Sequence, residues 1–285
     1  MTKTARRRPM AAAASRPIAL PAIAALLIAT PLIAAGLSGA ARAESAGWTK
    51  GFSGRIGAGA GIAPEYEGAD TYEAVPIPLV EIAYKDTLFF EGDGLRLAAL
   101  KIDHSQGRYQ FSAGPLARFG MGRDEGDSDA LRGMGDVKDS IELGGFLSFS
   151  SGPYFASLSL AQDVADGHDG LTAEASAGMQ RNLYRNISLV AAVSTSWADS
   201  AYMQSYFGVT PAQAARSGYG VYRPSGGFKD VGVMAGISMP LSESWSVDLM
   251  AKYAHLLGDA ADSPLVDLKG SANQFSAGLS LSYHF

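Results

Sequence analysis

The end of the chain constrains the fold more than any other stretch. Phe275, Ala277, Leu279, Leu281, Tyr283 and Phe285 occupy alternate positions, with Gln274, Ser276, Gly278, Ser280, Ser282 and His284 between them. Successive strand side chains point to opposite faces, so this run has one apolar and one polar face. A soluble sandwich strand is usually about 5–6 residues long, whereas a tilted strand crossing a bilayer needs about 9–11. The length favours a membrane-spanning strand with one face in lipid and the other in a lumen.

The pattern recurs. It is clear at 109–119, 187–197 and 245–253, and weaker at 52–62, 75–84, 87–91, 95–101, 139–149, 154–162, 171–181 and 228–239. Twelve strands are expected, with ten as the alternative, because Pro76 and Pro78 delete ladder donors in the 75–101 region. Counted from a periplasmic N-terminus, the connections near 85–86, 102–107, 150–153, 182–185 and 240–243 are short. Those near 63–74, 121–138, 163–170, 198–227 and 256–273 are longer, and only 91–94 is a tight turn on that side. Short periplasmic turns and long outer loops mark bacterial outer-membrane barrels. The predicted fold is all-β: a transmembrane antiparallel up-and-down barrel in the outer membrane of a Gram-negative bacterium, surrounded by lipid and lipopolysaccharide. Phe52, Tyr84, Phe119, Phe149, Tyr154, Trp197, Trp245, Tyr283 and Phe285 lie towards strand ends, where two aromatic girdles belong. Tyr283 and Phe285 are the expected C-terminal signal to the barrel-assembly machinery.

The first 43 residues read as a signal peptide rather than as part of this fold. Lys3, Arg6, Arg7, Arg8 and Arg16 precede an apolar run from Ile18 to Leu37, and small residues end in Ala41-Arg42-Ala43. Cleavage is expected after Ala43, leaving 44–285 as one barrel domain. The full chain has net charge −5, and residues 1–43 hold six Lys or Arg and no acid. The remainder is more acidic still, which disfavours nucleic acid as a partner. With no cysteine, disulfides and thiolate sites are excluded.

Arg55, Arg96, Arg118, Glu142, Glu174, Asp248 and Lys252 fall in the polar phase of their strands. In hydrocarbon, a Lys or Arg costs about 2–4 kcal/mol at the midplane; facing inward, the group can pair or be hydrated. Mixed signs fit a salt-bridged plug, with a pore lining as the alternative. The loop 121–140 is dense in carboxylates (Asp124, Glu125, Asp127, Asp129, Asp136 and Asp139), yet it lacks the spacing of a calcium loop and reads as a solvated acidic loop. His104, His168, His255 and His284 are scattered. The best catalytic grouping is His255 with Asp259 and Asp262-Ser263, and nothing orders it into a nucleophile–base set. No enzyme, cofactor or metal is expected. In the longest loop, Thr210 as N-cap and Pro211 after it predict a short helix. Tyr202, Tyr206, Phe207, Tyr219 and Tyr222 there are either a recognition patch or packing over the barrel mouth.

Several ordered motifs resemble the MipA/OmpV family. They are Pro64-Glu65-Tyr66-Glu67-Gly68 followed by Val75-Pro76-Ile77-Pro78-Leu79, Asp129 to Asp136, Tyr202 to Gln213, and Leu256 to Pro264. The resemblance implies a non-catalytic outer-membrane scaffold or structural barrel. Possible partners, on that likeness, are a periplasmic lytic transglycosylase and a penicillin-binding protein, because one member is described as bridging murein-degrading and murein-synthesising enzymes. A small-solute channel and a surface adhesin are the competing functions.

Overall fold

The computed structural model describes residues 51–104 and 108–285; the expected signal peptide and its cleavage site lie outside them. The strands are β1 (Phe52–Pro64), β2 (Tyr72–Tyr84), β3 (Leu88–Glu91), β4 (Gly94–Leu97), β5 (Leu100–His104), β6 (Tyr109–Gly120) and β7 (Ser140–Ser151). They continue with β8 (Tyr154–Asp163), β9 (Leu171–Asn182), β10 (Ser188–Ala198), β11 (Gly227–Pro240), β12 (Trp245–Leu256) and β13 (Asn273–His284). Every pairing is antiparallel, and the wall closes through β1 against β13 and β4 against β6.

β4 and β5 both pair with β6, so they form one wall strand and the barrel has twelve. The sequence pattern treats 95–101 as continuous. The structure corrects this: at Ala98-Ala99 one extra residue interrupts the strand, which then continues in the same direction along β6, and the Ala99 N–H donates to the Leu97 carbonyl at 2.8 Å.

The outward phase is apolar. Ile56, Leu143, Leu158, Leu160, Val233, Leu249 and Leu279 are among its exposed members. In a protein with water outside, such a continuous belt would be a severe liability; in hydrocarbon it is the required surface. At the periplasmic rim Phe52 meets Tyr84 with ring centroids 4.7 Å apart, and Trp245 meets Tyr283 at 5.3 Å. Tyr72, Phe119, Phe228 and Phe275 mark the other rim. The β2–β3 turn places Lys85 and Asp86 at φ +50 each, the left-handed pair that a tight hairpin of matching twist demands.

Inward serines pair directly across neighbouring strands: Ser112 with Ser148 at 2.6 Å, Ser157 with Ser176 at 2.7 Å, and Ser246 with Ser282 at 2.9 Å. Small hydroxyls satisfy one another without filling the lumen, which leaves room for the charged groups.

Candidate functional site

The interior of the barrel is built as rungs of charge. Near the periplasmic end, Arg55 of β1 donates to both carboxylate oxygens of Glu81 on β2, at 2.7 and 2.6 Å, and approaches Asp248 of β12 at 3.3 Å. Ser282 donates to the same Asp248, so one carboxylate joins three strands. Halfway up, Arg96 pairs with Glu91 and lies over the Phe146 ring at 5.3 Å. Near the outer end, Arg118 of β6 meets Glu142 of β7 at 2.6 Å and Glu174 of β9 at 2.8 Å. Six of the seven inward charges expected from sequence therefore enter ion pairs. Lys252 is the exception; it lines the lumen cavity and lies electrostatically near Asp230.

Three participants escape period-two reasoning. Glu81 and Glu91 lie in the proline-bearing region. Lys229 enters through a bulge: the β10–β11 register shifts between Ser196 and Trp197, so Lys229 and Asp230 both turn inward. Lys229 then pairs with Glu67, in the loop after β1, and with Asp230 at 3.4 Å.

Above these rungs the outer loops fold into a cap. Helix α1 (Ser200–Phe207) starts at Asp199, whose carboxylate accepts the N–H groups of Ala201 and Tyr202. Helix α2 (Pro211–Ser217) starts at Thr210 with the reciprocal Gln213 contact of a capping box, as the Thr-Pro pair predicts. Two short turns, α3 (Gly258–Ala261) and α4 (Pro264–Asp267), complete it. One apolar cluster joins Tyr66, Leu131, Met134, Val209 and Leu265 from four loops, and another joins Met203, Phe207, Leu256, Ala260 and Val266.

The aromatic loop residues belong to this cap and pack over the barrel mouth, one of the two readings their sequence left open. Phe207 is 0% exposed. Tyr202, Tyr206, Tyr219 and Tyr222 are half-buried, and their hydroxyls donate to Glu67, Met121, Ala130 and Asp259 respectively. Burial of these apolar rings outweighs any benefit of displaying them to solvent. Burial pushes the Tyr66 and Tyr206 phenols up to about 12, and the Tyr202 phenol well above its ordinary value. Arg123 donates to the carbonyl of Tyr206 at 2.7 Å, placing its cation at the C-terminus of α1, where the helix dipole favours it. Burial pulls its pKa down.

His168 joins cap to rungs. Its Nε2 lies 3.3 Å from Glu142, the Gly170 N–H donates to its Nδ1 at 3.0 Å, and Tyr202 packs edge-on at 4.9 Å. These partners assign the neutral tautomer protonated on Nε2. Asp163 accepts the N–H groups of Ala165, Gly167, His168 and Asp169, which shapes the turn that carries the ring.

The remaining candidates have structural partners. Ser263 is fully buried and donates to the Phe207 carbonyl at 2.6 Å, while His255 lies 3.0 Å from Asn273. Asp259 accepts the Ser225 N–H, so the grouping suggested by sequence is dispersed among loop contacts. In the acidic loop, Glu125 accepts from Gly133 and Gly135, Asp136 from Glu125, Asp127 from Asp124 and Asp139 from Gly122. The carboxylates hold the loop's own backbone.

A lipid-facing belt, two aromatic rims, an even strand count and long loops on one side define an outer-membrane β-barrel whose lumen is crossed by ion pairs and capped outside. The family described as MltA-interacting protein MipA matches residues 56–285, and the chain belongs to it. It is similar to the MltA-interacting proteins of Escherichia coli (strain K12) and Shigella flexneri, each 25% identical over 265 residues, covering 90% of this chain and 98% of the relative. Among solved structures it is similar to the outer-membrane channel DcaP of Acinetobacter baumannii, with 10% identity, TM-score 0.42, and coverage of 82% of this chain and 96% of that one.

Proposed function

We propose that the barrel is a non-catalytic outer-membrane scaffold that holds a peptidoglycan-degrading enzyme of the lytic transglycosylase class at the membrane. The observation that carries this reading is the double closure of the lumen: Arg–carboxylate rungs cross it and a hydrophobic-cored cap covers its mouth. Four outer loops contribute to that cap, an investment that suits a stable platform better than a free solute path. The name of the E. coli and Shigella relatives, MltA-interacting protein, supplies the class of partner. The family resemblance adds a penicillin-binding protein as a second one.

Crosslinking in intact envelopes, followed by purification in detergent, tests the proposal. Recovery of a lytic transglycosylase with the wild-type barrel is the expected result, together with closed planar bilayers. Steady conductance without any co-purified murein enzyme would overturn the scaffold in favour of a channel. The cavity of 360 Å³ among the rungs is the feature that a channel would use.

A further inference from the structure

The barrel wall is incompletely closed on one side. Strand β3 pairs with β2 only over Glu81 to Tyr84, and with β4 only over Gly94 to Leu97. β2 pairs with β1 along its full length, from Tyr72 to Tyr84. On its other edge, from Tyr72 to Leu79, no strand of the described residues lies against it. The turn of the β3–β4 hairpin closes the foot of this gap. There the Gly92 N–H donates to the Val80 carbonyl at 2.9 Å, and the Phe119 N–H donates to the Asp93 carbonyl at 2.8 Å. Overhead, Leu131 and Met134 of the 121–139 loop pack with Tyr66. What remains is a window in the wall.

The residues on its frame argue against a strand as the occupant. Antiparallel strands direct the N–H and C=O groups of alternate residues to alternate sides. The bond to Val80 therefore assigns the even-numbered residues of β2 to the open side, and two of those are Pro76 and Pro78. Proline has no N–H, so two donors that hydrocarbon would leave unsatisfied are absent, and so is the ladder that an added strand would need. At Pro76 and Pro78 this edge presents carbonyls but no donor, so an added strand would find its ladder interrupted there.

Behind the window lies the 360 Å³ cavity. Its lining runs from the inward side chains Ile77 and Leu79 of β2, with Leu116 of β6, to Glu91, Asp93 and Arg96. The charges nearest the window are unequally matched. Arg96 pairs with Glu91 through one carboxylate oxygen, and the other, Oε1, is buried with no donor. Asp93 has Arg118 as its opposite charge, and Glu142 and Glu174 already occupy that guanidinium. Acceptors and negative charge are in surplus beside an apolar approach.

We propose that the window admits a single-chain amphiphile with a primary ammonium head from the membrane. Its chain lies against Ile77, Leu79 and Leu116, and its ammonium bonds to Asp93 with Glu91 beside it. An ammonium supplies the donors that these carboxylates lack, and the frame excludes a peptide strand. The proposal does not depend on the scaffold role.

The chain has no cysteine, so Leu79→Cys gives a single attachment point for a nitroxide on the full-length barrel in lipid bilayers. Titration with dodecylamine at neutral pH is expected to immobilise the label saturably. Butylamine, with the same head and no long chain, and dodecyl sulfate, with the opposite head charge, should leave the spectrum unchanged. Asp93→Asn in the same background should weaken half-saturation by about tenfold, the scale of one charge-assisted hydrogen bond. Equal saturation by butylamine would mean an aqueous lumen site and overturn the membrane route. Equal saturation by dodecyl sulfate, no response to dodecylamine, or indifference to Asp93→Asn would each overturn the site itself. Heat-modified gel mobility verifies folding, and Ile77→Cys carries the same label should Leu79→Cys fail to assemble.

Discussion

Lys229 and Glu67, 162 positions apart in the chain, form an ion pair that ties the bulged end of β11 to the loop after β1. Tyr202 of α1 donates to the same Glu67 carboxylate at 3.1 Å, so this one contact joins strand, loop and cap helix. Removing one partner of a buried pair costs about 3–5 kcal/mol, because the other charge is left without compensation. Lys229→Met should therefore loosen the cap, making the 199–226 loop cleavable by protease added to proteoliposomes. The double variant Lys229→Met with Glu67→Met should recover much of the resistance. If the single variant stays as resistant as wild type, the pair does not hold the cap.

Arg118 carries a different load, since Glu142 and Glu174 converge on it from two strands and Thr172 accepts a further bond at 3.1 Å. Arg118→Met leaves two carboxylates facing each other. Glu174 has 37% of its side chain exposed to the lumen, so water relieves part of the cost and the loss belongs at the lower end, about 3 kcal/mol. Urea unfolding in lipid vesicles should show that loss, and planar bilayers should show new conductance as the rung opens. A variant that is equally stable and equally closed would remove Arg118 from the plug.

Alkaline pH gives a test of the cap that leaves the rungs intact. Burial, first among several causes, holds the Tyr66 and Tyr206 phenols up at about 12, against an ordinary value of 10. The folded state thus keeps these protons more tightly than the unfolded chain. Their stabilisation is complete below pH 10 and is lost as pH rises towards 12, on the order of 2 kcal/mol for each ring. Tyrosinate absorbance should rise in that window together with protease sensitivity of the cap loops. Tyr66→Phe with Tyr206→Phe should remove most of the alkaline loosening. Cap loosening that begins well below pH 10 would point to other groups.

The strands and the loop asymmetry were legible because alternation is a local property, carried by each segment without knowledge of its neighbours. So was the α2 start at Thr210-Pro211, since capping chemistry spans only three residues. Lys229 was not legible. One inserted residue opposite Ser196 and Trp197 reverses the facing of everything beyond it, and counting back from Val231 would put the ammonium in lipid. The break at Ala98-Ala99 was hidden in the same way, because two alanines fit either face of a strand. The cap lay beyond local reading altogether: Tyr66, Leu131, Val209 and Leu265 come from four loops and meet only when the barrel brings those loops together. Loop aromatics such as Phe207 carry no sign in sequence of whether the loop folds inward or outward.

The contact between β1 and β13 that closes the barrel depends on a residue without a side chain. Gly59 pairs with Ser280, and a Cβ at Gly59 would lie 2.1 Å from the Leu279 carbonyl oxygen and 2.7 Å from Ser280 Cα. Both of those atoms belong to backbone, so no rotamer change relieves the clash; the two strands would have to separate where the first strand meets the last. That pairing is also the one with the greatest separation in sequence, so it closes the longest loop of any strand contact. Gly59→Val should therefore prevent closure, giving a chain that shows no heat-modified gel shift and is degraded in the periplasm. Gly152→Ala, in the β7–β8 turn at φ +57 with open space around its Cβ, serves as the comparison. It carries only the left-handed backbone penalty of about 1–2 kcal/mol and should still yield folded barrel. If Gly59→Val folds as well as Gly152→Ala, the close approach of β1 to β13 is not required for closure.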